Sequence, residues 1–195
     1  MTSVRHFLVG LRAIAVLTVV LGLGYPLLVT LVAQLALPWQ ANGSIVGADG
    51  REASVLIAQD FSGDEWLQPR PSAALTDDEQ SAWNPMASGG TNLGPNSEEL
   101  ASQIAERRRQ VADLNGARPD EVPADALTAS SSGLDPDISP ANAALQVDRI
   151  AHARGVDRAL VEQAIAGARH ARMLGFLGEE RVNVVEANLA LSRLG

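Results

Sequence analysis

"AIAVLTVVLGLGYPLLVTLVAQLAL", Ala13 to Leu37, decides the architecture of this chain, because no charged residue occurs anywhere from Ala13 to Ala48. A bilayer hydrocarbon core of about 30 Å takes roughly 20 apolar helical residues at about 1.5 Å each. The run is long enough to span with some tilt. A secretory signal has an apolar core of only about 7–15 residues and a small-residue cleavage site. This core is longer and the candidate sites are poor, so the stretch reads as a retained single-span anchor.

Working outward from the span, Arg5, Arg12 and the amino terminus precede it. Positively charged flanks stay in the cytoplasm. The expected organisation is therefore a cytoplasmic tail (1–12), a transmembrane helix (13–37) and an extracytoplasmic domain (38–195) at the cell membrane. Trp39 falls where an interfacial aromatic belongs. Pro26 removes a helix hydrogen bond and predicts a kink. Gly22 and Gly24 leave a shallow surface that a partner helix could approach.

Beyond the anchor the chain is acidic, with 13 Arg against 23 Asp and Glu for a net charge of −10, which excludes a nucleic-acid binder by electrostatic footprint. There is no Cys, so neither disulfides nor thiol catalysis is possible. There is no Lys, which excludes a phosphate-loop lysine, a Schiff base and a Ser-Lys pair.

The fold class expected for the outer part is α+β, a small mixed domain after the single helix. "GSIVGADGREASVLIAQDF" (Gly43–Phe61) reads as two strands around an Asp49-Gly50 turn, the second running from Ala53 to Phe61. A loop rich in Pro, Gly, Ser and Asn follows from Leu67 to Asn96 and is long enough to be a functional or partner-facing surface. Asn96 and Glu99 make a capping-box pattern for a helix ending before Gly116, with Leu100, Ile104, Val111 and Leu114 near one face. A second helix has Ser139 as N-cap, Pro140 in its first turn and Gly155 at its exit. A third runs from Asp157 to about Arg169. The stretch "RVNVVEANLALSRL" fits a helix starting near Asn183, while its first half also fits a strand.

Candidate chemistry concentrates in "TASSSGLDPDISPANAALQ" (Thr128–Gln146). Ser130, Ser131 and Ser132 lack the Gly-x-Ser-x-Gly elbow of a hydrolase nucleophile. His6, His152 and His170 lack zinc-helix spacing, and His152 among Arg149, Arg154 and Asp148 reads as a solvated surface residue. Asp135 and Asp137 flank Pro136 without the spacing of a calcium loop, so no metal site is expected. "SGGTNLGP" (Ser88–Pro95) is glycine-rich but has no phosphate-loop Lys. The residues by themselves favour an accessory subunit over an enzyme. A membrane-anchored extracellular hydrolase is the alternative.

Five stretches resemble the C subunit of the bacterial potassium-transporting ATPase, the KdpC family. They are "PRPSAA" (Pro69–Ala74), "SGGTNLGP", "VPADALTASSSGLDPDISPANAALQVDRIAHARG" (Val122–Gly155), "GFLGEERVNVVEANLAL" (Gly175–Leu191) and Tyr25-Pro26 inside the anchor. The departures are mild: Pro69, Thr91, Ser131, Glu180 and Ser192 stand where the family commonly has Gly, Ser, Gly, Pro and Asp. The resemblance implies a non-catalytic accessory subunit of a high-affinity, ATP-driven potassium uptake complex. Its implied partners are a channel-like A subunit, a P-type ATPase B subunit and a small F subunit. It further implies a signature loop (Ser130, Gly133, Asp135, Pro136, Ser139, Pro140). It implies, too, a catalytic-chaperone role that raises the ATP affinity of the B subunit, with no cofactor bound by the C subunit alone. The glutamine implicated in the family matches Gln146. The topology reading places Gln146 outside, away from cytoplasmic ATP, and a helix-surface glutamine in a structural role is the competing reading.

Overall fold

The computed structural model describes residues 2–48, 51–74 and 86–194. The Asp49-Gly50 turn and residues 75–85 of the long loop lie outside them. The chain divides into two units, Met1–Ile45 and Val46–Gly195.

The first unit is almost entirely helix. Helix α1 covers Thr2–Leu17, a π-helical segment covers Thr18–Gly24, and α2 covers Tyr25–Ala36. One continuous stretch, Val4–Ala36, is long and apolar enough to cross a membrane. Its 33 residues correspond to about 50 Å, longer than a hydrocarbon core of about 30 Å. Arg5 and Arg12 lie on the same helix as the apolar run. Its large apolar side chains are exposed throughout, as suits a helix whose solvent is lipid or other helices.

Where a kink was expected, the helix widens. Pro26 has no N–H, and its ring would crowd the carbonyl four residues earlier. The Tyr25 N–H donates to the Val20 carbonyl, five residues back, and this π turn accommodates the proline at the start of α2. The exit is tied by α3 (Pro38–Ala41): the Trp39 indole donates to the Ile45 carbonyl at 2.9 Å. Gln34 and Asn42 exchange side-chain hydrogen bonds at 3.1 and 3.3 Å.

The second unit mixes short strands and helices, as expected for an α+β domain. Strands β1 (Ile45–Ala48) and β2 (Arg51–Ser54) form a two-stranded sheet. The second strand stops earlier than its β-branched composition suggests. The Leu56 N–H bonds the Ser54 hydroxyl, turning the chain so that Val55 and Ala58 are buried while Leu56 is exposed. Helix α4 spans Glu98–Asn115, with Gly116 in the left-handed conformation beyond it. Its N-cap is Ser97, not Asn96: the Ser97 hydroxyl accepts from the Leu100 N–H, which places Glu98 and Glu99 in the first turn, where the helix dipole favours them. Ile104 and Val111 pack on a small cluster of Ala112, Val122, Ala126 and Leu127, whereas Leu114 stays exposed.

Strand β3 (Asp137–Ile138) leads through the N-cap Ser139 into α5 (Pro140–Leu145), and α6 (Val147–Arg154) ends at Gly155. The expected single helix is thus two, jointed at Gln146. Asp157 caps α7 (Arg158–Gly167), followed by β4 (Arg169–His170), β5 (Arg181–Asn183) and α8 (Val184–Leu191), capped by Asn183. The final stretch is therefore both a strand and a helix. The second sheet is antiparallel in the order β3-β5-β4, with Ile138 opposite Val182. Leu67, Ile138, Val147, Ile150, Val161, Val182, Val184 and Leu191 form the main core between this sheet and helices α5 to α8.

Candidate functional site

Gln146, the joint between α5 and α6, is only 4% exposed, so it is a buried residue rather than a surface one. Asn142, Gln146 and Arg149 follow at helical spacings of four and three and share a face. That face points at Gly63–Gln68, a turn over Gly63–Trp66 that runs on into Leu67 and Gln68 and belongs to no strand. The Gln146 carbonyl oxygen accepts from the Gln68 N–H at 2.8 Å, and its amide nitrogen donates to the Gln68 carbonyl at 3.1 Å. The side chain therefore pairs with a backbone unit as a neighbouring strand would. The same amide nitrogen donates to Asn142 Oδ1 at 3.1 Å, and the same oxygen accepts from Arg149 Nη2 at 2.7 Å. Two donors and two acceptor positions are the whole capacity of a glutamine amide, and all four are engaged inside the domain.

Neighbouring residues repeat the device. Asn188 on α8 gives and takes a hydrogen bond, each 2.8 Å, with the backbone of Leu67. Arg149 donates to the carbonyls of Asp64 and Trp66 and, through Nε, to Asn115 Oδ1. Burial pulls the Arg149 guanidinium below its ordinary pKa, against the pull of Asp64 and Glu65. Arg154 donates to the carbonyls of Glu65 and Leu191 and lies over the Trp66 ring at 4.5 Å. This strap is thus held by two amides and two guanidinium groups.

The signature residues form a second arrangement beside it. Ser139 caps α5 by accepting from the Asn142 N–H, while its own hydroxyl and N–H both donate to Asp125 at 2.8 Å. Asn142 also donates to Asp125, which links the cap to the Gln146 network. Pro140 occupies the first turn, where its missing N–H costs nothing. Ser130 is buried; its hydroxyl accepts from the N–H groups of Ser132 and Gly133 and touches the Ser132 hydroxyl at 3.1 Å. Gly133 sits at φ +71°, and a Cβ there would lie 2.8 Å from Ala74 Cβ and 2.9 Å from the Gly89 carbonyl. Only glycine fits both the angle and the contact. The Gly89 N–H, the Ser88 hydroxyl and the Ser72 hydroxyl complete this seam, donating to the carbonyls of Ser132, Ser132 and Gly133. "PRPSAA", "SGGTNLGP" and the serine loop, far apart in sequence, are therefore one surface.

Asp135 pairs with Arg70 at 3.0 Å and turns the chain by accepting from the Asp137 N–H. The Pro136 carbonyl accepts from the Val184 N–H. Burial pushes the Asp137 carboxyl upward, opposed by Arg181 and Asn183. A groove of about 530 Å³, lined by Leu56, Arg70, Thr128, Ser131 and Asp135 among others, opens at this surface. Among the described residues no histidine bonds Ser130, Ser131 or Ser132: His152 is exposed on α6 and His170 bonds Glu186 at 2.7 Å. Among the same residues no group of three acids or histidines could hold a metal ion. The arrangement can position backbone and present a shaped groove; it holds no activated nucleophile.

Sequence reasoning missed Arg149, Asn142, Asn188, Asp125 and Arg70. The signal was present for three of them: Asn142, Arg149 and Asn188 interrupt the otherwise apolar faces of short helices.

The K+-transporting ATPase C-chain family model matches residues 7–193. A Kineococcus radiotolerans protein named potassium-transporting ATPase KdpC subunit is 48% identical over 188 residues, 96% of this chain and 93% of its own length. Proteins of the same name from Gemmatimonas aurantiaca (48% over 191 residues; 97% and 94% of the two chains) and Mycobacterium bovis (44% over 192; 97% and 99%) are similar over the same extent.

Proposed function

The chain belongs to the KdpC family, the C chains of K+-transporting ATPases, and from that premise we propose that it is a non-catalytic accessory subunit of a potassium uptake pump. Its helix anchors it in the cell membrane, and its domain lies outside, where it assembles with a channel-like A subunit, a P-type ATPase B subunit and a small F subunit. It binds no cofactor alone. It raises the ATP affinity of the B subunit as a catalytic chaperone, through conformational coupling and without touching the nucleotide.

One observation carries this reading: the amide of Gln146 makes four hydrogen bonds within the domain. Contact with ATP would break pairings that hold the strap, so Gln146 acts on the pump by shaping the domain. The orientation rests on the two arginines at the start of the helix and the absence of charge from Ala13 to Ala48. Inserting the chain the other way would carry Arg5 and Arg12 across, at about 2.5–3.5 kcal/mol each on insertion scales.

The Cys-free chain allows a direct test. In the assembled pump, Ser131→Cys labels with a membrane-impermeant thiol reagent on intact cells (any outer membrane permeabilised), and Ser3→Cys labels only after lysis. A photoreactive ATP analogue crosslinks the ATPase subunit and not this one. The opposite labelling pattern, or crosslinking of this chain lost in Gln146→Leu, would return direct nucleotide binding to the table.

A further inference from the structure

The connection between β4 and β5 carries Met173, Leu174, Phe176 and Leu177 at 69, 78, 69 and 47% exposure. Four large apolar side chains project together from one short turn, while the domain's other apolar residues of that size are mostly in its core. The turn is built, not loose. Met173 and Leu177 form an antiparallel bridge with reciprocal backbone hydrogen bonds of 2.9 Å. The Gly175 N–H bonds the Arg172 carbonyl and the Phe176 N–H bonds the Met173 carbonyl. Leu174 is held at φ +55°, a conformation unfavourable for a branched aliphatic residue, which aims its side chain outward from the tip.

We propose that this tip inserts into the headgroup layer of the bilayer that the chain's own helix spans, with Arg172 on lipid phosphate. Three features point to lipid. Ala171–Gly178 contains one charge, Arg172, and no acid, although the domain around it is strongly acidic. A cation on a long apolar stem among Leu and Phe is the composition of interfacial segments. The N–H groups of Met173, Gly175, Phe176 and Leu177 all bond to carbonyls within the tip, which lowers the cost of taking this backbone out of water. Nine residues lie between Ala36 and Val46, at most about 35 Å of chain over ten Cα steps, so the bilayer is within reach of the domain. At the base of the hairpin Arg169 pairs with Glu180 and Arg181 with Asp137, Glu179 stays exposed on the β5 side, and Arg172 is the charge within the tip itself.

The test uses the full chain in phosphatidylcholine vesicles and in phosphatidylcholine–phosphatidylglycerol vesicles, with single spin-labelled cysteines. Because the helix keeps every variant in the vesicle, the label reports the tip alone. Labels at Leu174→Cys and Phe176→Cys are expected to collide more with oxygen than with a polar nickel chelate, the pattern of the bilayer. A label at Leu160→Cys, on α7, is expected to show the aqueous pattern. Arg172→Glu should make the tip labels more aqueous in the anionic vesicles. Aqueous tip labels in both vesicle types overturn the proposal. So do labels shielded only after the other ATPase subunits are added, which would make the tip a protein contact.

Discussion

The membrane helix and the Gly63–Gln68 strap solve one problem in opposite ways. Each is a stretch of backbone whose hydrogen-bonding groups must be satisfied without a sheet. In Val4–Ala36 the partners are four or five residues away on the same helix. In the strap the partners are side chains 78 residues away for Gln68, 83 for Trp66 and 121 for Leu67. The helix therefore depends on composition, which many substitutions preserve. The strap depends on particular atoms of Gln146, Arg149 and Asn188, which few substitutions preserve. The two regions should differ sharply in tolerance to single changes.

The largest effect is expected for Arg149→Met. It removes the donor to the Trp66 carbonyl and to Asn115 Oδ1, takes one of two donors from the Gln146 oxygen and leaves the exposed Asp64 carbonyl to water. At about 1–3 kcal/mol per orphaned acceptor, partly offset by no longer burying a guanidinium, the loss should be about 3–5 kcal/mol. Denaturant unfolding of the full chain in detergent measures it; a loss below about 1 kcal/mol would mean that the strap does not need its clamp. Asn188→Leu leaves the Leu67 N–H and carbonyl unpaired in the core, for an expected loss of about 2–3 kcal/mol in the same assay. Ser139→Ala removes an N-cap, worth about 1 kcal/mol. Potassium-limited growth should fall no further than that stability loss explains; loss of transport at unchanged stability would give Ser139 a role beyond the cap. At the small end stands Pro26→Leu. The π turn should relax toward α-helix, and retention of the chain in carbonate-washed membranes should not change. Release of the variant would show that the helix, like the strap, relies on a specific residue.

Local signals were well legible. Ser139, Gly155, Asp157 and Asn183 sit at the helix ends where their side chains or backbone freedom suit them, because a cap is satisfied within three residues. The errors are also local choices, decided by distant contacts. Asn96 and Ser97 are both good caps, and the loop entering α4 placed Ser97 in the extended conformation a cap needs. The Ala53–Phe61 run has strand composition, yet its backbone is claimed elsewhere: the Ala58 N–H bonds the Leu134 carbonyl and the Val55 carbonyl accepts from Asn183. The joint at Gln146 has no local signal, since nothing in "ANAALQVDRI" disfavours one continuous helix.

The sequence by itself determined the apolar spanning helix, the acidic mixed domain after it, the helix ends at Ser139, Gly155, Asp157 and Asn183 and the family, because each rests on composition, short-range hydrogen bonds or a long collinear match. Only the tertiary structure decided where the Gln146 amide stands. It brings Gln68, Asn142 and Arg149 to within hydrogen-bonding distance of it. The same holds for Gly133, whose necessity comes from Ala74 and Gly89 packing against it from other parts of the chain. Such contacts depend on the path of the whole backbone, which no short stretch of residues encodes.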